Sequence, residues 1–166
     1  MKDSVDALIE QWTAALGDID PHAEGILTRM QLIVRHLSSR KAESVEALGM
    51  QMWECATLYA LRRRGKPYAA GPTELAAELG VSGAAMTNRV DVMVRRGYVV
   101  RRYDRDDRRR NVVALTRKGV ATAERIVAGQ QQVEAELIGA LTEAQQEQLI
   151  TLLRRLMQAV DMATTR

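Results

Sequence analysis

The stretch GPTELAAELGVSGAAMTNRVDVMVRRG, residues 71–97, decides the fold of this chain. Pro72 occupies the first position of a helix, where its missing amide hydrogen costs little, and Gly80 turns the chain after that helix. Ser82 is a good N-cap for the next helix, which Gly97 ends. Two short helices joined by a tight glycine-containing turn are typical of a helix-turn-helix unit.

Apolar side chains recur in both helices at helical spacing. The predicted buried positions are Leu75, Ala76 and Leu79 in the first helix, and Met86, Val90, Met93 and Val94 in the second. The early part of the second helix exposes small and polar side chains instead. The sequence therefore predicts a second helix with one buried face and one face open to solvent.

A β-hairpin is predicted directly after the two helices. Residues 98–100 and Asn111–Leu115 are rich in β-branched side chains, and the charged segment YDRDDRRR (103–110) lies between them. The order helix, turn, helix, hairpin is that of a winged helix-turn-helix. We expect a mainly α-helical fold with a small β-wing.

Positive charge is concentrated in this region. The net charge of the chain is +3, but ten Lys or Arg and three acids lie between Arg95 and Lys118, so this stretch carries +7 and the remainder −4. A run of charges alone is more often a solvated loop. Next to a helix-turn-helix, a compact positive patch is the expected footprint for the phosphates of double-stranded DNA.

Helical periodicity continues on both sides of this unit. The sequence predicts helices over residues 3–16, from Pro21 to about 40, over 51–64, over 117–139 after the cap Thr116, and from a capping box at Thr142 and Gln145 onward. A polar joint, SSRKAES (38–44), is predicted to end the second of these helices.

The flanking helices carry apolar stripes that need another surface. The last helix shows this most clearly, with Leu149, Leu152, Leu153, Leu156 and Val160. These helices could fold back on the reading unit, but symmetric dimers are the commonest oligomers, which favours a homodimer. We expect N-terminal dimerisation helices over 1–50, the DNA-binding unit over 51–116, and C-terminal dimerisation helices over 117–166.

The residues from Pro72 to Gly119 resemble the MarR family of bacterial transcriptional regulators. The wing motif is the most specific part of this resemblance: residues 104–109 read DRDDRR, and residues 112–116 read VVALT. The resemblance extends through the flanking helices. It implies a homodimeric winged-helix repressor that binds a pseudo-palindromic operator.

Three further positions resemble a subgroup that responds to urate, related purines or phenolic acids. In that subgroup a tryptophan and two arginines contribute to a pocket, and these match Trp12, Arg63 and Arg89. The resemblance therefore implies a ligand site for a small anionic or aromatic effector. The subgroup also has an aspartate where this chain has Ala56, which counts against urate itself. Glu54 does not replace it, because two helical residues differ by about 200° in direction.

Several residues are predicted to contact DNA. On the recognition helix, Ser82, Ala84, Thr87 and Asn88 can reach base edges or phosphates. In the wing, arginines suit a narrow minor groove, and we expect contacts from Arg105, Arg108, Arg109 and Arg110. Phosphate neutralisation is predicted for Arg95, Arg96, Arg101 and Arg102.

Other functional classes find little support. One cysteine and two histidines exclude an intramolecular disulfide and make a His/Cys metal site improbable. No phosphate loop, dinucleotide fingerprint or catalytic histidine context is present, so we expect neither an enzyme nor a cofactor. No apolar run reaches membrane-spanning length and no secretory signal begins the chain, so we expect a cytoplasmic protein without a membrane partner.

The sequence leaves four alternatives open. Cys55 could make the regulator a redox sensor, although its apolar neighbours favour an inert thiol. The protein could bind DNA without any small-molecule effector. It could also coat DNA with little sequence preference, or its terminal helices could bind a different protein.

Overall fold

The computed structural model describes residues 2–103 and 111–164. Its elements are α1 (Ser4–Leu16), α2 (Pro21–Ala47), α3 (Met52–Arg62), β1 (Ala69–Ala70), α4 (Pro72–Glu78), α5 (Gly83–Arg95), β2 (Val99–Tyr103), β3 (Asn111–Leu115), α6 (Arg117–Ile138) and α7 (Glu143–Thr164). The order of α4, α5, β2 and β3 confirms the predicted winged helix-turn-helix.

Local capping residues fix the ends of α5 and the start of α6. The Ser82 side chain accepts a hydrogen bond from the Ala85 amide and caps α5, and α5 is followed by Gly97 with a φ of +74°. Thr116 caps α6 by accepting from the Gly119 amide. These caps confirm the predicted boundaries to within a residue.

The sheet has three antiparallel strands in the order β1-β3-β2. Val113 pairs with Arg101 on one side and with Ala70 on the other. The sequence analysis missed β1, because two alanines carry no strand pattern of their own and become a strand only by pairing with β3. Pairing of β1 with β3 therefore joins the segment before α4 to the wing.

The core lies beneath α5 and spreads into the flanking helices. Leu58, Leu61, Leu75, Met86 and Met93 are fully buried. The same cluster contains Val45 from the end of α2, Met50 from the segment between α2 and α3, and Ala123 and Ile126 from α6. The helix-turn-helix and its hairpin are therefore packed onto α2 and α6, the helices on either side of them in the sequence.

Two sequence predictions are wrong. The segment SSRKAES does not end the second helix, because it contains neither proline nor glycine and is bridged by Arg40 and Glu43; α2 continues to Ala47. Val94 is not buried, since its side chain is 38 % exposed. It lies one residue after Met93, which occupies the core-facing position on that turn of α5.

α1 docks on α2 through both charges and apolar side chains. The guanidinium of Arg29 donates to Asp3 and Asp6 at 2.7–2.9 Å, and Val5 and Ile9 are buried beside this cluster. The Arg29 guanidinium lowers the pKa of Asp3 through a side-chain hydrogen bond, with the Val5 and Asp6 amides contributing. α1 is thereby held along α2.

α7 packs very little against its own protomer. None of its 22 residues is buried. The predicted stripe is exposed, with relative exposures from 37 % at Leu149 and Leu153 to 54 % at Val160. Most helical stability in proteins comes from packing of an amphipathic face, and this chain leaves that face of α7 exposed.

Two further findings concern residues 2–103 and 111–164 alone. No helix in these ranges is long and apolar enough to cross a membrane. These ranges also contain no group of three or more His, Cys, Asp or Glu that could hold a metal ion.

Gly119 is predicted to be essential for packing, and Gly129 in the same helix provides the control. A Cβ at Gly119 would overlap the carbonyl oxygen of Tyr98, whereas a Cβ at Gly129 would meet nothing within 4 Å. We expect Gly119→Ala to lower the free energy of unfolding by about 1–3 kcal/mol. Gly129→Ala should raise it by about 0.5–1 kcal/mol through helix propensity. Urea denaturation monitored by circular dichroism measures both, and equal effects would contradict the close packing of α6 on Tyr98.

Candidate nucleic-acid interface

The early part of α5 presents the predicted reading face. Ser82, Ala84, Thr87 and Asn88 are all exposed, as the sequence indicated. The Thr87 hydroxyl donates to the Gly83 carbonyl at 3.0 Å, while the described structure gives the Asn88 amide no hydrogen-bond partner. A free amide and a rotatable hydroxyl on an accessible helix face are suitable for contacting base edges.

Burial of the opposite face fixes this orientation. Met86, Val90 and Met93 are at most 1 % exposed and pack into the core. Rotating α5 to withdraw Asn88 would expose these side chains to water, at a cost of about 1.5–3 kcal/mol for each. The polar face is therefore held outward before any partner binds.

An ion pair connects the recognition helix to the wing. Arg101 on β2 contacts Asp91 on α5 at 2.6 Å and also reaches the Thr87 carbonyl at 3.5 Å. Asp91 lies one turn beyond Asn88, on the same side of α5. The pairing reduces the negative charge that Asp91 would otherwise present to DNA.

The four arginines predicted to neutralise phosphates have different environments. Arg95 is exposed, and none of the described ion pairs includes it. Arg102 donates to the Pro67 carbonyl at 3.3 Å, and Arg96 bonds to the buried carboxylate of Glu54. Of these four, Arg95 is the best placed for a phosphate, while Arg96, Arg101 and Arg102 have contacts within the protein.

The described part of the wing hairpin ends at its last paired residues. Tyr103 pairs with Asn111 as the last described rung of the hairpin. The predicted DNA contacts Arg105, Arg108, Arg109 and Arg110 lie outside the described residues.

The predicted effector residues occupy three separate environments. Trp12 lies on α1 and is 39 % exposed. Arg63, the C-cap of α3, forms an ion pair with Glu78 at the end of α4. Arg89 lies over the ring of Trp53, 5.5 Å from its centroid. Within the described ranges, no hydrogen bond, ion pair or cation–π contact joins two of the three predicted residues.

Trp53 is a contact that sequence reasoning missed. It is half-buried against the core on α3, whereas the aromatic residue predicted for the ligand site was Trp12 on α1. Its position 36 residues before Arg89 carries no local signal. The exposed edge of α5 is thus braced by an aromatic ring from α3.

A groove between α3 and α6 includes Arg63. It encloses about 460 Å³, and its walls include Tyr59, Arg62, Gln130 and Glu134. Burial raises the pKa of Tyr59 to about 12, so the phenol stays protonated at neutral pH, and it donates to Gln130 at 3.2 Å. The groove therefore combines an aromatic wall with the guanidinium groups of Arg62 and Arg63. The Nε atom of Arg62 is buried, and the described residues offer it no hydrogen-bond partner.

Cys55 lies in a poor environment for a redox sensor. Its side chain is fully buried. Desolvation raises the pKa of the thiol, and the opposing effects of Lys41 and Tyr59 are smaller. Since the thiolate is the reactive form, this environment favours an inert thiol at neutral pH.

A helix-turn-helix with an exposed polar recognition face, followed by a β-hairpin wing within a three-stranded sheet, defines a winged-helix DNA-binding protein. Comparison with known proteins agrees with this class. The sequence profile of the MarR family matches residues 48–110. The HTH-type transcriptional regulator PecS of Dickeya dadantii is 27 % identical over 154 residues, which is 91 % of either chain.

Solved structures show the same fold. YusO of Bacillus subtilis superposes with a TM-score of 0.72 at 24 % identity, over 86 % of this chain and 99 % of that one. A MepR mutant from Staphylococcus aureus, bound to an oligodeoxyribonucleotide, gives 0.64 at 20 % identity, over 81 % and 97 %. Together these comparisons support a MarR-family winged-helix transcriptional regulator.

Proposed function

We propose that this regulator binds a pseudo-palindromic operator as a homodimer, placing α5 of each protomer in the major groove and the wing against the minor groove. The observation that carries the proposal is the exposed face of α5. On this face Thr87 and Asn88 offer polar groups to a partner, and Ala84 offers a methyl group. The bound MepR structure supports it, because a chain of the same fold binds an oligodeoxyribonucleotide.

The proposed base contacts follow from side-chain chemistry. An asparagine amide matches the N6 and N7 edge of adenine, and a methyl group such as that of Ala84 fits against a thymine methyl. Thr87 can donate or accept once its hydroxyl turns from the Gly83 carbonyl. Ser82, at the N-terminus of α5, is placed to bind a phosphate as well as to cap the helix.

Phosphate and minor-groove contacts complete the interface. Arg95 is exposed at the end of α5, where it can neutralise a phosphate. Arg105, Arg108, Arg109 and Arg110 are the proposed wing contacts, since a guanidinium is favoured in a narrow and electronegative minor groove. Each phosphate contact steepens the dependence of binding on salt by about 0.9 in log–log slope.

Exposed apolar side chains on α7 and α2 support the homodimer. Leu152 and Leu156 on α7, and Ile26 and Val34 on α2, are 46–62 % exposed. Large exposed apolar patches on soluble proteins mark interaction surfaces, and these side chains form such stripes on two long helices. Mutual burial across a two-fold axis would set two copies of α5 about 10 bp apart.

Disrupting the α7 stripe should dissociate the dimer. We expect Leu153→Asp to convert the protein into an 18.5 kDa species, because it places a charge in the proposed apolar interface. Gln158→Asp lies on the opposite face of α7 and should leave the dimer intact. Sedimentation velocity at micromolar concentration distinguishes the two, and a monomeric unmodified chain would refute the dimer.

Asn88→Ala should separate sequence reading from general DNA affinity. We expect it to weaken binding to an operator selected from random duplex DNA by about 1–3 kcal/mol, while binding to unrelated DNA stays unchanged. Arg95→Ala should weaken both and reduce the salt slope by about 0.9 for each phosphate interaction that it removes. Fluorescence anisotropy over a salt series measures these effects. If the unmodified protein shows a specificity ratio near one, it is a DNA-coating protein.

An effector is proposed to act at the groove beside Arg63. The Arg63–Glu78 ion pair joins α3 to α4, the first helix of the reading motif. A planar anion in the groove would compete with Glu78 for the guanidinium and so alter the seating of α4. Binding of such a ligand would then oppose binding of DNA by linkage. Trp12 and Arg89 are the other proposed ligand residues.

Release from DNA by small aromatic anions tests this part of the function. We expect urate, xanthine or salicylate to weaken operator binding, with Arg63→Ala abolishing the response. Trp12→Phe and Arg89→Ala should reduce it if those side chains contribute, while Arg155→Ala, on the exposed surface of α7, is the control. Gel shifts with excess competitor DNA measure release. Operator binding that is insensitive to all three compounds would leave a DNA reader without this effector site.

A further inference from the structure

An ion pair beneath the end of the recognition helix stands apart from the exposed arginines. Glu54 is fully buried, and Nη1 of Arg96 lies 2.6 and 2.8 Å from its two carboxylate oxygens. Nη2 of the same guanidinium donates to the Gly49 carbonyl at 2.7 Å. One side chain thus makes three charge-assisted or polar contacts with groups more than forty residues away in the sequence.

The three groups lie in three different parts of the chain. Gly49 follows the end of α2, and Glu54 lies in the first turn of α3, where it also accepts from the Gln51 amide at 2.9 Å. Arg96 is the C-cap of α5. The guanidinium therefore fixes the end of the recognition helix to the joint between α2 and α3.

A second set of contacts holds Arg96 from the other side. The Lys118 ammonium, at the start of α6, donates to the Arg96 carbonyl at 2.8 Å. The Lys118 ammonium and the Arg96 guanidinium lie 4.7 and 5.3 Å from the centroid of the Tyr98 ring. Both the backbone and the side chain of this residue are thereby held in place.

Stability alone does not explain an ion pair whose carboxylate is fully buried while its guanidinium side chain is 35 % exposed. The cost of removing the Glu54 carboxylate from water offsets much of its attraction to Arg96, and apolar pairs of similar volume often stabilise a protein equally well. What a guanidinium adds is direction, because its planar donors fix the relative orientation of the groups they join. The pair is better suited to specifying the angle of α5 than to strengthening the fold.

We propose that Arg96 is a positioning residue for operator binding, which sets the angle of α5 relative to α2 and thereby the spacing of the two recognition helices in the dimer. This inference rests on the proposed function, since it requires a dimeric DNA reader. It replaces the phosphate contact that the sequence predicted for this arginine.

Spacing preference is the measurement that distinguishes positioning from stability or charge. The probes are the operator selected by the unmodified protein and two versions with one base pair inserted or deleted at its centre. The variants are Arg96→Lys, which keeps the positive charge but loses the planar fork, and the double change Glu54→Leu with Arg96→Met, which removes both charges. Arg95→Ala serves as the matched phosphate-contact control.

We expect both Arg96 variants to bind unrelated DNA with an unchanged salt slope. Their affinity for the selected operator should fall by about 5- to 150-fold, the effect of mis-seating roughly one base pair, and their discrimination among the three spacings should weaken. Arg95→Ala should instead reduce the salt slope and keep the spacing preference. Circular dichroism measures the folded fraction of each variant, and stoichiometric titration with DNA measures the fraction that is able to bind. Every affinity is corrected for these fractions.

Three results would overturn the inference. A salt slope that becomes shallower in the double variant, which removes the cation, would mean that Arg96 contacts a phosphate. Full spacing discrimination in either variant, or failure of both to fold, would leave the ion pair with a structural role only. If the unmodified protein selects no operator, the proposed function itself fails, and this result is distinguishable because it does not involve the variants.

Discussion

The arrangement of the molecule depends on the burial of one face of α5. Met86 and Met93 are inserted among Leu58, Leu61 and Leu75, and this packing draws α3 and α4 around the recognition helix. Because the apolar stripe of α5 can be satisfied in only one rotation, Thr87 and Asn88 must face outward. The proposed DNA-reading surface is thus a consequence of the core, and its orientation does not depend on a bound partner.

Electrostatics add a second level of organisation. The region is rich in arginine, yet several of its guanidinium groups contact the protein: Arg96 binds Glu54, Arg101 binds Asp91, and Arg102 binds the Pro67 carbonyl. These contacts connect the recognition helix with α3, β2 and the segment before β1. Several of these positive charges therefore fix the relative positions of elements within the protein, and the sum of charges in this region overstates the charge left free for phosphates.

The apolar surfaces left over by the protomer connect this unit to a proposed partner copy. α7 buries none of its residues and α2 exposes several large side chains, so the two helices have far more apolar surface than their own protomer covers. α2 ends two residues before Gly49, whose carbonyl accepts a hydrogen bond from Arg96. A dimer built on α2 and α7 would consequently transmit its geometry to α5 through a short and firmly bonded connection.

The sequence by itself determined the order of the elements, the caps at Ser82 and Thr116, and the exposed face of α5. These features depend on periodicity and on residues within one or two turns, which local chemistry fixes. Tertiary structure alone decided that α2 continues past residue 40, that two alanines form β1, that Trp53 supports Arg89, and that Arg96 binds Glu54. An arginine looks the same in sequence whether it meets a phosphate or a carboxylate. Its partner is chosen by which distant surfaces the packed core brings within reach.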